Sequence, residues 1–271
     1  MPYTVFPCRS FKVKYTGNPS PPHITAADDY RCGDSFLATV FLKGRGVCFV
    51  DGESYIIEAG DMVLIGPECM RSFRVEQTGE HERLSVYLSA DAFLPLREYD
   101  LQLDKMFYAG GVHRLSDHPR IWEQVLFIRD TAAACDAARQ AEVHLAVLQL
   151  LVRLSDVTKR TTAAEPPCGS LQVREICRYI ADNLGEKLDH ASIKAALSVS
   201  RYQLTQIFPR YTGMTLTEYI LQKRILRATE LVRQGFSLTE AAAEAGFSTY
   251  SHFYKEFRRI RGVSPGKYFS P

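Results

Sequence analysis

Residues 246–265 read GFSTYSHFYKEFRRIRGVSP, and their pattern decides the fold of the C-terminal third of the chain. Phe247, Phe253 and Phe257 are spaced to pin one side of a helix to a core. The remaining positions carry Tyr250, Ser251, His252, Tyr254, Lys255, Arg258 and Arg259. A face that only meets water is usually built from Glu and Lys. Hydroxyls, an imidazole, aromatic edges and fixed positive charge are the groups that hydrogen-bond base edges and phosphates.

Working outward, SLTEAAAEAG supplies Leu238, Ala241, Ala242 and Ala245 for a short first helix and Gly246 for a turn. This predicts a helix-turn-helix at about 237–259. An earlier copy, HASIKAALSVSRYQLTQIF, spans about 190–209 and places Ile193, Leu197, Val199, Leu204 and Ile207 where two short helices bury a shared corner. Between the copies, TLTEYILQKRILRATELVRQG (Thr215–Gly235) predicts one uninterrupted helix. Tyr219, Ile220, Ile225, Leu226 and Leu231 face inward, and Lys223, Arg224 and Arg227 are polar positions. About 19 residues at 1.5 Å each give about 28 Å, close to the ~34 Å between successive major-groove turns. Upstream, LQVREICRYIADNL puts Val173, Ile176, Cys177, Ile180 and Leu184 on one stripe, with Arg174 and Arg178 outside it.

Charge follows the same division. Residues 170–271 hold 15 Lys+Arg against 9 Asp+Glu, a net of +6, whereas residues 1–169 hold 18 against 22, a net of −4. A basic excess in one segment suits a polyanionic partner. Thr158–Ser170, TKRTTAAEPPCGS, has no hydrophobic period and reads as a linker. The expected division is therefore 1–157, 158–170 and 171–271. With 271 residues and 46% hydrophobic content the chain has the composition of a globular protein with two cores. No apolar run approaches the roughly 20 residues that span a bilayer, and the start lacks a signal-peptide core. The seven cysteines (Cys8, Cys32, Cys48, Cys69, Cys135, Cys168 and Cys177) are odd in number and form no CxxC pair. That pattern fits a reducing cytoplasm rather than a disulfide framework.

From Ser35 to Leu88 short apolar runs alternate with turns: SFLATVFL, GVCFV, DGESYIIEAGD, MVLIG and LSVYL. Asp51–Gly52 is a two-residue hairpin signal. Many short strands predict a barrel or a sandwich. From His118 to Val157 the texture is helical, and Val143, Val147, Leu150, Leu154 and Val157 follow 4-3-4-3 spacing. Two readings of that seam stand: packing on its own domain, or an antiparallel contact in a homodimer through Val143, Val147, Leu150 and Leu154.

LSVSRYQLTQIFPRYTGMTLTEYI, KRILRATELV and AAEAGFSTYSHFYKEFRRIRGVSPGKYF resemble the DNA-binding domain of the AraC (arabinose-type) family of transcriptional regulators over Leu171–Pro271. LKGRGVCFVDGESYIIEAGDMVLIGP more weakly resembles that family's cupin-type effector barrel. The resemblance implies an α+β two-domain chain: a cupin-like β-barrel followed by two helices, then an all-α domain with two helix-turn-helix motifs. It implies DNA contacts at Arg201, Tyr202, Thr205, Gln206, Tyr250, Ser251, His252, Tyr254 and Lys255. Gln206 suits an adenine edge and Lys255 a guanine. Arg210, Arg258 and Arg261 suit phosphates. There are departures: Ser198 stands where a turn glycine is usual, Lys194 where a small residue is usual, and Pro209 where a basic residue is usual. The helix is expected to end or bend at Pro209.

Positions matching sugar-sensing sites of the family are Lys43, Arg71, Phe73, Arg83 and Ser85. Three of these are cationic, so a sugar acid or organic acid fits as well as a neutral sugar. Catalytic cupins need clustered histidines and a glutamate. GVCFVDGESY has no His-x-His, Met70 and Arg71 stand where a Pro-His pair is expected, and His23, His81 and His113 are scattered, each read as a loop residue. No metal, cofactor or catalytic residue is expected. The arm Met1–Pro22 either closes over the barrel mouth or stays disordered.

The expectation is a cytoplasmic, homodimeric regulator, an activator, that binds double-stranded promoter DNA and a small-molecule effector, with RNA polymerase as a further partner and no membrane. Two alternatives stay open: a metal-dependent cupin enzyme fused to a DNA-binding tail, and a regulator of this type without an effector.

Overall fold

The computed structural model describes residues 3–8, 10–17, 35–67, 69–75, 80–99, 101, 103–109, 111–115, 118–133, 136–158 and 171–270. The expected linker core, 159–170, and His23 lie outside the described residues, so the expectations for them are not addressed by it.

The N-terminal half is built from two antiparallel sheets. The larger has the order β1 (Tyr3–Cys8), β2 (Phe11–Thr16), β8 (Glu82–Leu88), β3 (Phe36–Lys43), β6 (Asp61–Ile65), β9 (Val112–Arg114). The smaller has the order β5 (Glu53–Glu58), β4 (Arg45–Val50), β7 (Arg71–Val75). The Asp51–Gly52 turn between β4 and β5 has φ of 46° and 101°, the left-handed pair that a type I′ hairpin demands. The short strands thus form two separately hydrogen-bonded sheets that pack face to face.

Burial explains why FLATVFL lacks alternation. Leu37 and Phe41 of β3 join Val63, Ile65, Cys48, Ile57 and Phe73 between the two sheets. Phe36, Ala38, Val40 and Leu42, on the other side of the same strand, pack on the helices. A strand covered on both faces reads as a continuous apolar run.

A 3₁₀ segment (Ala90–Tyr99) and α1 (Leu103–Ala109) lead to α2 (Pro119–Ala132) and α3 (Ala137–Thr158). Here the structure decides between the two readings of the α3 seam. Val143, Val147, Leu150 and Leu154 are all at most 2% exposed and belong to one cluster with Val125, Ile128, Val86 and Leu88. The proposed dimer seam is consumed by its own domain, because the outer face of the large sheet needs a cover and α3 supplies it.

Two further expectations change. Much of the arm is a hairpin: β1 pairs with β2, and β2 pairs with β8 from Phe11↔Leu88 to Thr16↔Arg83. His113 lies in β9 rather than in a loop; His81 is a loop residue, as expected, directly before β8; and both are buried.

The C-terminal half is helical: α4 (Leu171–Asp182), α5 (His190–Leu197), a helical stretch over 201–212 ending in α6 (Phe208–Thr212), α7 (Leu216–Arg233), α8 (Leu238–Glu244), α9 (Tyr250–Arg261) and α10 (Pro265–Phe269). Three of these helices start on full capping boxes: Asp189 with Ser192, Thr215 with Glu218, and Ser237 with Glu240. The long helix α7 joins two cores. Its Leu216, Tyr219 and Ile220 belong to the cluster with Val173, Ile193, Leu204 and Phe208. Its Ile225, Ala228 and Leu231 belong to the cluster with Ala241, Phe247, Phe253 and Phe257. A single 18-residue rod therefore fixes the spacing of the two helix pairs.

Candidate nucleic-acid interface

In the second pair, the Ala245–Gly246 corner turns the chain into α9. Gly246 adopts φ 91°, and a Cβ there would lie 2.0 Å from the Leu184 carbonyl oxygen, so only glycine fits. Thr249 caps α9 by accepting the His252 N–H at 3.2 Å. Phe253 and Phe257 are fully buried on the back of the helix. Tyr250, Ser251, His252, Tyr254, Lys255, Arg258 and Arg259 are exposed. Tyr250 and Tyr254 follow one another along one edge with ring centres 6.4 Å apart, and the His252 ring stands edge-on to Phe247 at 5.6 Å. The front of α9 is thus a row of hydrogen-bonding and cationic groups held stiff by an aromatic back. Arg259 is held by Glu256 at 2.8 Å. Arg261 folds back over the Tyr268 ring at 5.4 Å and is only partly exposed, so its guanidinium braces α10 instead of standing out as a phosphate clamp.

The first pair repeats the plan with local differences. Ser198 takes the left-handed turn position at φ 54° and ψ 29°, a conformation that costs a non-glycine residue about 1–2 kcal/mol. The Gln203 side chain accepts the Ser200 N–H at 2.5 Å, and Ser200 Oγ accepts the Gln203 N–H at 3.2 Å, which closes the helix start. Arg201, Tyr202, Gln206 and Arg210 are exposed, Tyr202 by 64%. Thr205 is half-buried and its hydroxyl donates to the Arg201 carbonyl at 3.0 Å.

Of the two outcomes expected at Pro209, an end or a bend, the helix does not end there; it continues to Thr212. Pro209 has no N–H to donate to the Thr205 carbonyl, and residues Gln203–Ile207 wind as a π turn in which the Phe208 N–H reaches the Gln203 carbonyl. The extra residue per turn is accommodated directly beneath Thr205 and Gln206.

The positions proposed for an effector separate into two groups. Arg71 and Phe73 on β7, and Arg83 and Ser85 on β8, are all buried. The Arg83 guanidinium lies 5.4 Å from the Phe73 ring centre, Arg71 lies 6.0 Å from that of Tyr87, and Ser85 Oγ is 3.0 Å from Thr39 Oγ1. These four share the space between the sheets with Tyr87, Thr39 and Phe41. Lys43 does not join them. It is exposed and ion-paired to Glu80 (2.9 Å) and Glu82 (2.8 Å), and the Glu82 hydrogen bond, followed by that of Glu80, raises its pKa. Tyr87 and Thr39 were legible in principle, since alternation along β8 and pairing of Thr39 with Ser85 put them on the same face. Among the described residues, no group of three or more His, Cys, Asp or Glu is placed to hold a metal ion.

A helix-turn-helix domain profile matches residues 193–270, the segment that holds both exposed polar faces. The matched segment is a helix-turn-helix domain similar to that of AraC-family transcriptional regulators. It is 27% identical over 232 residues to an uncharacterized HTH-type regulator of Bacillus subtilis, covering 81% of this chain and 78% of that one. It is 24% identical over 240 residues to the arabinose operon regulatory protein of Salmonella typhimurium, covering 86% and 83%. Among solved structures it is similar to fatty-acid-bound ToxT of Vibrio cholerae, with 18% identity, TM-score 0.40 and coverage of 96% of this chain and 95% of that one. Among the described residues, no helix is long and apolar enough to cross a membrane.

Proposed function

We propose that the chain is a cytoplasmic, ligand-responsive activator in which both helix pairs are helix-turn-helix motifs. In this reading 171–271 is the DNA-binding domain, 158–170 the linker and 1–157 the effector domain. The observation that carries the proposal is the placement of two exposed polar helix faces on one α7 rod that is rooted in both cores. Arg201, Tyr202, Thr205 and Gln206 face one stretch of major groove, and Tyr250, Ser251, His252, Tyr254 and Lys255 face the next. Arg210 and Arg258 hold phosphates. The second motif carries most of the base selectivity, because its helix is regular while the first is π-wound and has its Thr205 hydroxyl engaged internally.

The effector is a small molecule bearing a carboxylate or other anionic group. Two arginines buried between the sheets, each over an aromatic ring, support that chemistry, with Ser85 and Thr39 offering hydroxyls. Ligand shifts the population of chains able to hold paired half-sites, as a homodimer working beside RNA polymerase. The dimer contact uses surfaces other than the α3 seam.

A thermal-shift screen of the full chain against neutral sugars, sugar acids and small organic acids tests the effector half. A ligand at 100 times its Kd adds about 2.7 kcal/mol. Stabilisation by acids that disappears in Arg71→Ala and Arg83→Ala supports the reading. A flat response across the panel, or stabilisation by neutral sugars alone, refutes an anionic effector.

A further inference from the structure

Strands β4 and β7 are paired so that Phe49 stands opposite Ser72, Val50 opposite Arg71, and Cys48 opposite Phe73. Side chains alternate across a strand, so this small sheet has two distinct faces. One carries Cys48, Val50, Arg71 and Phe73 toward the space between the sheets. The other carries Phe49, Ser72 and Arg74, and it is seated on the first helix pair.

The seat is apolar at its centre. Phe49 is fully buried, meets Tyr219 at 6.3 Å in an edge-on contact, and with Met70 belongs to the cluster of Val173, Ile176 and Cys177. Polar contacts surround it. Ser72 Oγ donates to the Thr212 carbonyl at 2.7 Å, Arg74 donates to the Pro209 carbonyl at 3.0 Å, Lys223 donates to Asp51 at 2.5 Å, and Arg174 pairs with Glu53. The two carbonyls lie on the last turn of the first outer helix, directly after its π-wound segment. The partners on the long rod, Tyr219 and Lys223, lie in its first half, near the first pair.

We propose that the outer face of β4 and β7 is an intramolecular coupler that sets the pose of the first DNA-reading helix. The strand that holds Arg71 and Phe73 against the ligand space also holds, one residue out of phase, the two side chains that grip the end of that helix. Displacing Arg71 or Phe73 by an anionic ligand moves Ser72 and Arg74 with it, and the grip on 208–212 changes. The second motif is carried on the far half of α7, so the coupler adjusts one reading head relative to the other. This inference rests on the effector and two-motif readings above for its consequences, and on the seat itself for its mechanics.

The test uses hydrogen exchange on the full chain and selection from a random-sequence duplex pool, with four variants. Glu53→Arg and Arg174→Glu each put like charges face to face, which is more disruptive than truncating a part-exposed pair. The double exchange Glu53→Arg with Arg174→Glu restores the pair in reverse. Ser72→Ala removes the donor to Thr212 without altering charge. In both charge variants and in Ser72→Ala, amides of 208–214 should exchange about tenfold faster, as local opening becomes easier. Rates for 238–261 should stay unchanged, and the double exchange should recover the wild-type pattern. In the pool, the wild-type chain should select two sequence blocks about one helical turn apart, and the single variants should keep only the block read by the second motif. Unchanged exchange at 208–214 in all three single variants, or retention of both blocks, overturns the coupler. A wild-type chain that selects no block refutes the DNA-reading assignment, and the exchange rates then decide the coupler without it.

Discussion

Replacing Gly246 by alanine isolates the cost of bringing two parts of the helical domain into backbone contact. Gly246 has φ 91°, and an added Cβ would sit 2.0 Å from the Leu184 carbonyl oxygen and 2.8 Å from Arg224 Nε. Left-handed backbone costs alanine about 1–2 kcal/mol. The nearest atom is a main-chain oxygen, which cannot swing aside, so the turn after α4 must move, and such overpacking costs about 1–3 kcal/mol. That movement also strains the bonds from Arg224 to the carbonyls of Leu184 (3.0 Å) and Glu186 (2.7 Å), charged hydrogen bonds worth about 1.5–3 kcal/mol each. The expected total is about 5 kcal/mol, a large share of a typical stability of about 5–15 kcal/mol. Gly235 supplies the control: its φ is 100° but a Cβ there meets nothing within 4 Å. Gly235→Ala should therefore cost only the backbone term, about 1–2 kcal/mol. Urea unfolding of the full chain, followed by the helical circular-dichroism signal, measures both. At about 4–8 °C per kcal/mol for a domain of about 100 residues, melting should fall by about 20 °C or more for Gly246→Ala. Equal costs for the two substitutions, within about 0.5 kcal/mol, would refute the close approach of residue 246 to the turn after α4.

Ser198→Gly should raise stability by about 1 kcal/mol, since it relieves the left-handed strain at φ 54° in exchange for some unfolded-state entropy; a loss in the same urea assay would contradict that geometry. Lys255→Ala should flatten base preference in a binding-site selection. Arg258→Ala should weaken all duplexes alike and lower the salt slope by about one; unchanged affinity in both would sink the assignment of α9 to the groove. Burial pushes the Cys177 thiol from 9.0 up to about 12. The folded chain then retains a proton that the unfolded chain releases, so stability is full below pH 9 and falls as pH rises toward 12, by about 1.4 kcal/mol per unit from this thiol. Cys177→Ala should remove that increment, as read from urea midpoints at pH 8, 9.5 and 10.5; identical pH slopes with and without the thiol would exclude it.

The exposed polar helix faces were visible in the chain because a helix is a local object. Phe253 and Phe257 on one side and Lys255 and Arg258 on the other are sorted by 3.6-residue periodicity alone. Ser237, Thr215 and Asp189 announce their helix starts within one turn. The π winding at Gln203–Ile207 is half legible, since Pro209 declares the missing donor but not whether the helix stops or rewinds. Arg261 was misjudged because its partner, Tyr268, lies on the following helix and is brought over it only by packing.

The seam of Val143, Val147, Leu150 and Leu154 shows the limit most plainly. Its spacing demands an apolar partner and says nothing of which one; the outer face of the large sheet takes it. Arg71 and Ser72 are neighbours in the chain, yet one faces the space between the sheets and the other grips Thr212, 140 residues away. By itself the sequence determined the helix pairs, their caps, the Asp51–Gly52 hairpin and the exposed polar and cationic faces, all of which depend on bonds and periodicities within a few residues. Only the tertiary structure decided what each face rests against: that the arm joins β8, that Lys43 stays outside with Glu80 and Glu82, and that β4 and β7 seat the first helix pair. Those outcomes depend on which buried surfaces exclude water together, a competition among distant segments that no local pattern records.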